Sequence, residues 1–464
     1  MDIKKEKPYE NCPWVEYDWR SQKHIVTSQQ LSMYLTGPNS PTPIKAVEHA
    51  GKDRPDIFVY TDGIYTPMSW SQLRNFVKGF MPPELRTKRN IDDVVFEIET
   101  ERSCSIDVFD SDENIVNVEN GLLHLDTGEL TPHTPDVLST IRIPCRYDDN
   151  LTLEKDAPIF SKFLDELVNE DDCDKSFLLE FMGAVISNVP GYKFKKCAML
   201  VGPGNTGKSQ FRQLLICLIG EPNNQAIELS KLNERFSTSQ LYRKRLAGSG
   251  DVSFVRVQEM SIVKNLTGGD LIMAELKGKD AFSYTYKGYL LFNANELPAF
   301  GGDRGQHVYD RFCIVQCNNV IPIEKQNHHL LEDMLSERDA IASVALKNLV
   351  YAINRGYVFT EGESMRTCRE VYMERNNSLI VFVREASDMG GKTKRSEFRR
   401  VYTAWCKAEG MYPEPSRNID AVLKEAFKIT PMKSSDVYYP LTIKYEVMEF
   451  LNFPTDKGKQ GNKF

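Results

Sequence analysis

The sequence predicts an α/β protein whose centre is a mainly parallel sheet, with a mixed α+β region before it and a compact unit after it. Three observations lead there. Strand-like and helix-like stretches alternate between residues 197 and 315, the pattern of a parallel sheet flanked by helices. A glycine-rich string, Gly202 to Ser209, sits where an apolar strand gives way to a helix-compatible stretch. The apolar period also changes, from strand-like over residues 94–145 to helical beyond Asp156-Ala-Pro158.

Taken in order, Ile57-Phe-Val-Tyr60 reads as a strand, and Leu73, Phe76, Val77 and Phe80 place a helix over Ser69 to Phe80 that Met81-Pro-Pro83 stops. Val94 to Glu99, Ile115 to Val118, Leu122 to Leu125 and Ile141 to Pro144 read as strands of a small sheet, with turns at Asn120-Gly121 and Asp126-Thr-Gly128. A helical collar follows, with Phe160, Phe163, Leu164 and Leu167 on one face and a second helix from Phe177 to Ile186. In the central segment, strands are expected at Cys197–Val201, around Arg245-Leu246, at Tyr289–Phe292 and at Phe312–Val315, with a helix from Lys208 to about Leu218. Helices resume over Asp339–Arg355 and Met365 to about Ala386. Beyond Gly390-Gly391, helices near Ser396–Ala408 and Asn418–Phe427 precede a strand-like Val437–Ile443. The expected division is therefore 1–150, 151–190, 191–360, 361–390 and 391–464.

With 464 residues, 41% hydrophobic and 27% charged, the chain has the composition of an ordinary globular protein of about three domains. No apolar run approaches the roughly 18 residues of a membrane span, and the charged N-terminus lacks the apolar stretch of a secretory signal, so a cytoplasmic location and no membrane partner are expected. The ten cysteines form neither a CxxC nor a Cys/His cluster, which argues against structural zinc and for reduced, packed thiols. The net charge of −7 hides an asymmetry. Residues 381–464 carry 15 Lys and Arg against 11 Asp and Glu, and the rest of the chain is acidic. A basic tail on an acidic body suits a localised DNA-binding module, and equally a solvated lysine-rich end.

Gly202-Pro-Gly-Asn-Thr-Gly-Lys-Ser209 is a complete GxxxxGK[ST] phosphate-binding loop (P-loop) in its required strand–loop–helix setting. Each residue type has a physical reason. Gly202, Gly204 and Gly207 let backbone N–H groups around Asn205 and Thr206 turn toward phosphates, and the following helix adds the partial positive charge of its N-terminus. Lys208 reaches β/γ oxygens and the Ser209 hydroxyl ligates Mg²⁺, so ATP and Mg²⁺ are the expected cofactors. Such a site also needs an acid at the end of a neighbouring strand, for which Asp251, after Arg245-Leu-Ala-Gly-Ser-Gly250, is the best candidate and a loop-initiating Asp the bland reading. Tyr289-Leu-Leu-Phe292 runs into Asn293-Ala-Asn295-Glu-Leu-Pro298, which puts a carboxamide where it can meet the attacking water or the γ-phosphate. Asn295 is preferred to Asn293, although an Asn there is equally a turn former.

These residues, with Lys264-Asn-Leu-Thr-Gly-Gly-Asp270 and Tyr309-Asp-Arg311 before an apolar strand, resemble the superfamily-3 helicases of the phage, plasmid and poxvirus primase-helicase type. The order and spacing match over about 190–320. Upstream, Ile115 to His133 resembles the segment that precedes the helicase in that family, so the resemblance covers roughly 110–450. It implies an AAA+ motor working as a homo-hexameric ring on single-stranded DNA, with Lys208, Asp251 and Asn295 at the nucleotide, Ser209 and Asp251 at the metal, and Arg311 as the arginine finger. The lone Asp251 departs from the family's acid pair and leaves the water-activating base open, with Glu259 or Glu296 assisting; Arg304 competes as the finger.

The family also has a hairpin that holds the translocating strand. Here Glu275-Leu-Lys-Gly-Lys-Asp280 supplies the turn glycine between Lys277 and Lys279, whose charges suit phosphates without sequence preference. The tail resembles a C-terminal winged helix, with a Ser416-Arg-Asn418 cap before a helix on which Arg417, Lys424 and Lys428 would face DNA or form a solvated face. The resemblance thus implies a replication initiator of a phage or phage-satellite element, acting on single-stranded and origin duplex DNA, with a primase or loader protein as a further partner. Two rivals stand beside it. One is the helicase part of a primase-helicase, for which the 110 residues before the recognisable segment are too short to hold a polymerising domain. The other is an ATP-switch DNA-binding protein with weak hydrolysis, favoured only by the lone Asp251.

Overall fold

The computed structural model describes residues 9, 11–49, 52, 54–101, 104–250, 260–275, 277–278, 280–298, 300 and 306–454. Its N-terminal part begins with the hairpin β1 (Val15–Asp18) and β2 (Lys23–Val26), followed by α1 (Ser28–Thr36). Strands β3 (Ile44–Glu48), β4 (Asp56–Thr61) and β5 (Ile64–Met68) form an antiparallel meander. Helices α2 (Trp70–Gly79) and α3 (Lys88–Thr100) come next, and β6 (Cys104–Ser105) then joins the meander parallel to β3. Ser69 starts α2 with a capping box, its hydroxyl accepting from Gln72 N–H while the Gln72 side chain returns to Ser69 N–H.

Helix α3 corrects the expected strand at Val94–Glu99. The β-branched run reads as a strand locally, yet Ile91, Val94, Val95 and Ile98 fall at helical spacing. The last three are fully buried, Thr87 caps the helix through Asn90 N–H, and Phe96 faces solvent. The small sheet that follows comprises β7 (Ile115–Val118), β8 (Gly121–His124) and β9 (Leu130–Thr131), all antiparallel. Ile141–Pro144 is not a strand of it. That stretch contributes a single bridge, Val118 to Ile143, and at its start Ile141 N–H donates to the Asp110 side chain rather than to a strand.

The collar consists of α4 (Leu153–Asp156), α5 (Pro158–Leu167), α6 (Asp172–Ile186) and α7 (Gly191–Phe194). It leads into β10 (Cys197–Val201), α8 (Lys208–Ile219), β11 (Asn224–Ala226), α9 (Ser237–Gln240) and β12 (Leu246–Gly248). Helix α10 (Ser261–Gly268) precedes the hairpin β13 (Leu271–Ala274) and β14 (Phe282–Thr285); then come β15 (Tyr289–Ala294), α11 (Gln306–Tyr309) and β16 (Phe312–Gln316). The central sheet has five strands in the order β11-β12-β15-β10-β16, every neighbouring pair parallel. Parallel sheets are covered on both faces, and their strands are correspondingly apolar throughout; every residue of β15 is buried.

After β16 come α12 (Leu330–Ser336) and α13 (Arg338–Asn354). Helix α13 packs closely on α6, since a Cβ at Gly183 would lie 2.2 Å from the carbonyl oxygen of Ala345. The expected long helix to Ala386 is two helices, α14 (Glu363–Asn376) and α15 (Ser378–Ala386). Between them Asn377 leaves the helical region, and its side chain accepts from Leu379 and Ile380 N–H. The C-terminal unit continues with β17 (Ser387–Lys394), α16 (Arg395–Ala408), α17 (Ile419–Phe427), β18 (Met432–Lys433), β19 (Val437–Ile443) and α18 (Tyr445–Phe450). Its core joins Leu379, Phe382 and Val383 of α15 to Phe398, Tyr402, Leu423 and Tyr439, so the unit begins before the glycine pair. Its three strands are antiparallel in the order β17-β19-β18.

One buried acid makes the fold sensitive to pH. Asp174, in the first turn of α6, is 1% exposed, and its Oδ1 has no hydrogen-bond partner among the described residues. Burial, with Asp171 adding, pushes its carboxyl up to about 7. A carboxyl whose folded value lies above its unfolded one binds more protons in the native state, so stability falls as pH rises from about 4 to about 7. Asp174→Asn is expected to flatten that fall and to stabilise the protein at pH 8 by about 2–4 kcal/mol, as read from denaturant unfolding at pH 5 and pH 8. An unchanged pH profile would remove Asp174 as its source.

Candidate nucleotide site

Strand β10 is paired in parallel on both sides, with Val201 opposite Ala294 of β15 and Gln316 of β16. The register brings three segments out at one sheet edge: the glycine-rich loop after Val201, Asn295 after Ala294, and residues 317–322 after Gln316. The ladder runs one step further on each side, with Gly202 N–H donating to Ala294 O at 3.1 Å and Cys317 N–H to Val201 O at 2.7 Å.

The loop then departs from the sheet in conformations that its glycines permit. Gly202 has φ +154°, and a Cβ there would stand 2.0 Å from Cys317 O. Gly207, at φ +95°, presses against Phe163 of the collar and starts α8 without a side-chain cap or an acid in the first turn. The N-terminal N–H groups and positive end of α8 are thereby left to face the cavity beside it. Asn205 is also left-handed, and its carbonyl accepts from Ile321 N–H at 2.8 Å.

Lys208 is 7% exposed and folds back over this loop. Its ammonium donates to Gly202 O at 2.7 Å, Pro203 O at 2.6 Å and Thr206 Oγ1 at 3.1 Å. In front of the loop lies a cavity of about 1290 Å³, lined by residues 204–210, Asn295, Gly250, the collar residues Pro158, Ile159 and Phe163, and the stretch from Asn319 to Leu330. Gly204, Asn205, Ser209 and Asn295 are exposed to it. The arrangement offers an anion a cation, a helix N-terminus and a hydroxyl at one end, and a mixed wall at the other, with Ile159, Phe163 and Val320 beside Lys162, Glu166 and Lys325.

Two residues not chosen from the sequence lie beneath this edge: Asn293, set aside there in favour of Asn295, and Arg212, which drew no notice. Asn293, near the C-terminal end of β15 and two residues before Asn295, is fully buried, and neither carboxamide atom has a hydrogen-bond partner among the described residues. Arg212, one turn beyond Lys208 on α8, is 6% exposed. It donates to Asn224 Oδ1 at 3.0 Å and Gly248 O at 2.9 Å, and burial draws its guanidinium below its usual range. The available signal was an arginine at an inward helical position between Phe211 and Leu214-Leu215.

Asp251, with Glu259, Arg304 and Lys279, falls outside the described residues; Gly250, just before Asp251, lines the cavity. Glu296 is exposed and is not among the lining residues. Arg311 stands at the opposite edge of the sheet, before Phe312, which pairs with Cys197; its Nη1 donates to Thr267 O at 3.3 Å. It does not reach the cavity of its own chain. Lys277 is exposed beside Gly278, φ +74°, in the turn joining β13 to β14. The base of that hairpin is tied down by Thr238, which donates to Met273 O and accepts from the Tyr284 hydroxyl. In the C-terminal unit, Arg417, Lys424 and Lys428 are exposed at or on α17. The expected cap is corrected: Asn418 precedes α17 in helical backbone, makes no side-chain cap, and donates to Glu414 Oε1 instead.

Comparison with known proteins gives two family matches. Residues 73–169 match the family described as "D5 N terminal like", and residues 200–311, which include the whole glycine-rich loop, Asn295 and Arg311, match a family of unknown function (DUF5906). Among solved structures, the apo C-terminal region of NrS-1 (305–718) aligns at 12% identity over 86% of this chain and 96% of that one, with a TM-score of 0.45. Two A-form apo structures of the same region align at 11% identity. They cover 86% and 89% of this chain and 96% and 99% of theirs, with TM-scores of 0.44 and 0.45. No helix among the described residues is long and apolar enough to cross a membrane.

The two outer glycines of the loop's first half make opposite demands. Gly202→Ala forces a Cβ into a carbonyl at a backbone angle that L-residues rarely adopt, and is expected to lower stability by about 2–4 kcal/mol. Gly204→Ala meets nothing within 4 Å and is expected to leave the melting temperature within about a degree. Equal melting temperatures for the two variants would contradict this loop geometry.

Proposed function

We propose that the chain is an ATP-dependent DNA helicase of the superfamily-3, AAA+ type, which translocates on single-stranded DNA as a homo-hexameric ring and serves as a replication initiator. The observation that carries this reading is the meeting, at one edge of a parallel sheet, of a complete P-loop, the strand-end carboxamide of Asn295 and a cavity large enough for a nucleoside triphosphate. The D5 N terminal like match over 73–169 supports it further, because it falls largely on the segment before the motor.

In this reading Lys208 exchanges its loop acceptors for the β- and γ-phosphate oxygens, and the N–H groups of residues 204–209 hold the chain of phosphates. Ser209 would hold Mg²⁺, with Asp251 as its acidic partner; that ion supplies charge neutralisation along the phosphates. Asn295 orients the attacking water. Arg311, at the far edge of the sheet, serves the nucleotide of a neighbouring subunit. Lys277, exposed beside Gly278, and Lys279, two residues on in the sequence, contact the backbone of the translocating strand. The C-terminal order of helix, strand, two helices and two strands, from α15 to β19, supports a winged helix that brings α17 with Arg417 and Lys424 to origin duplex.

Two measurements test the reading. Lys208→Ala removes a transition-state contact of about 3–4 kcal/mol, so ATP turnover should fall roughly 10²–10³-fold. Turnover within about threefold of the unaltered protein would rule out the P-loop assignment. Mixing inactive Lys208→Ala chains with inactive Arg311→Ala chains should restore part of the turnover, since some interfaces then join an intact loop to an intact finger; fingers acting in trans are worth about 10³–10⁵ in rate. Subunit mixing without recovery would exclude Arg311 from that role.

A further inference from the structure

Far along the chain from the nucleotide cavity, the hairpin β1–β2 carries a ladder of four aromatic rings. Tyr17 and His24 are cross-strand partners, their ring centroids 5.2 Å apart. Tyr9 stacks edge-on against His24 at 4.8 Å, and Trp19 against Tyr17 at 4.7 Å. Residues 15, 17 and 19 share one face of the strand and its continuation, and exposure rises along it. Val15 packs against the N-terminal core, Tyr17 is 39% exposed and Trp19 is 78% exposed. The contacts Tyr17–Trp19 and Tyr17–His24 are near-perpendicular, at 77° and 69°, so the rings meet edge to face rather than stacking flat, and Trp19 at the end of the row is left mostly uncovered.

The charges beside the ladder are arranged asymmetrically. Glu16 accepts from the Gln30 side chain at 2.7 Å. Asp18 turns back on its own turn, accepting from Arg20 and Ser21 N–H, and the hydrogen bonding holds its carboxyl below the usual range. Arg20 and Lys23 are exposed, and their side chains have no hydrogen-bond or ion-pair partner among the described residues. Both acids keep their charge, Asp18 standing directly across the ladder from Lys23, while the exposed Arg20 and Lys23 lie at the tip beside Trp19.

We infer that this hairpin is a stacking platform for the unpaired bases of a single-stranded nucleic acid, with Trp19 and Tyr17 taking the bases and Arg20 and Lys23 the flanking phosphates. Flat aromatic faces beside unpartnered cations match both parts of such a strand, and stacking is indifferent to base identity. A protein partner fits less well. Trp19 and Tyr17 together offer roughly 300 Å², well under the roughly 800 Å² per side of a stable protein interface. The inference rests on the reading of the chain as one that handles single strands, and gives it a contact distinct from the β13–β14 turn.

The test uses the full chain and fluorescence anisotropy with labelled oligothymidine and oligouridine of about 20 nucleotides. Trp19→Ala is expected to weaken binding of one or both by about 5- to 150-fold, and Trp19→Phe by much less. Arg20→Ala with Lys23→Ala should flatten the salt dependence by roughly 0.7 per lost contact, whereas Trp19→Ala leaves the slope unchanged. ATP turnover without nucleic acid should be the same in all of these variants, which separates failure here from failure of the motor. Strand affinity within twofold of the unaltered protein after Trp19→Ala would overturn the inference. So would a changed oligomeric state by sedimentation at unaltered strand affinity, the outcome a protein-docking surface would give.

Discussion

The parallel pairing of β10 on both of its edges is the constraint on which the rest of the molecule depends. It fixes Val201 against Ala294 and Gln316, so three chain segments distant in sequence leave the sheet side by side. A glycine at 202 is then obligatory, because the chain turns out of the sheet directly against the Cys317 carbonyl. The collar closes the other side, with Phe163 against Gly207, so the loop is held between a strand end and a helix. Among the described residues, three oxygen acceptors of the loop surround the ammonium of Lys208 and offset its burial.

The parts legible in the sequence are those whose physics is local. The glycine-rich loop encodes its own geometry, since the positive φ angles at Gly202 and Gly207 need glycine and α8 starts where the pattern says. The central strands are legible because a sheet covered on both faces leaves long apolar runs, as in Tyr289–Phe292. Val94–Glu99 misleads because its β-branched residues satisfy a strand pattern within six residues, while the helical repeat shows only when Ile91 and the Thr87 cap are included. The break at Asn377 is a capping event inside an otherwise continuous helical pattern, visible only once the side chain is seen to accept from the next turn.

What stayed hidden at the site is non-local. Arg212 looks like a surface arginine until Gly248 of β12 and Asn224 of β11 are brought over it, and Asn293 looks like a turn residue until β12 and β10 bury it. Both lie one layer below groups that the sequence did single out. Exclusion of water from this layer beneath the glycine-rich loop keeps charge interactions there less screened than at the surface. The C-terminal unit shows the same contrast. Its helices are legible from Phe398, Val401, Tyr402 and Trp405, but its membership is settled by α15, whose Phe382 lies against both Phe398 and Trp405.

The central claim is that ATP hydrolysis at this loop is coupled to a single strand of DNA. The most direct measurement is steady-state ATP turnover by the full chain with Mg²⁺, titrated with single-stranded and then with blunt duplex DNA. The account predicts turnover that rises severalfold and saturates with the single strand. Turnover that is absent, or unchanged by single-stranded DNA at saturating ATP, would contradict it.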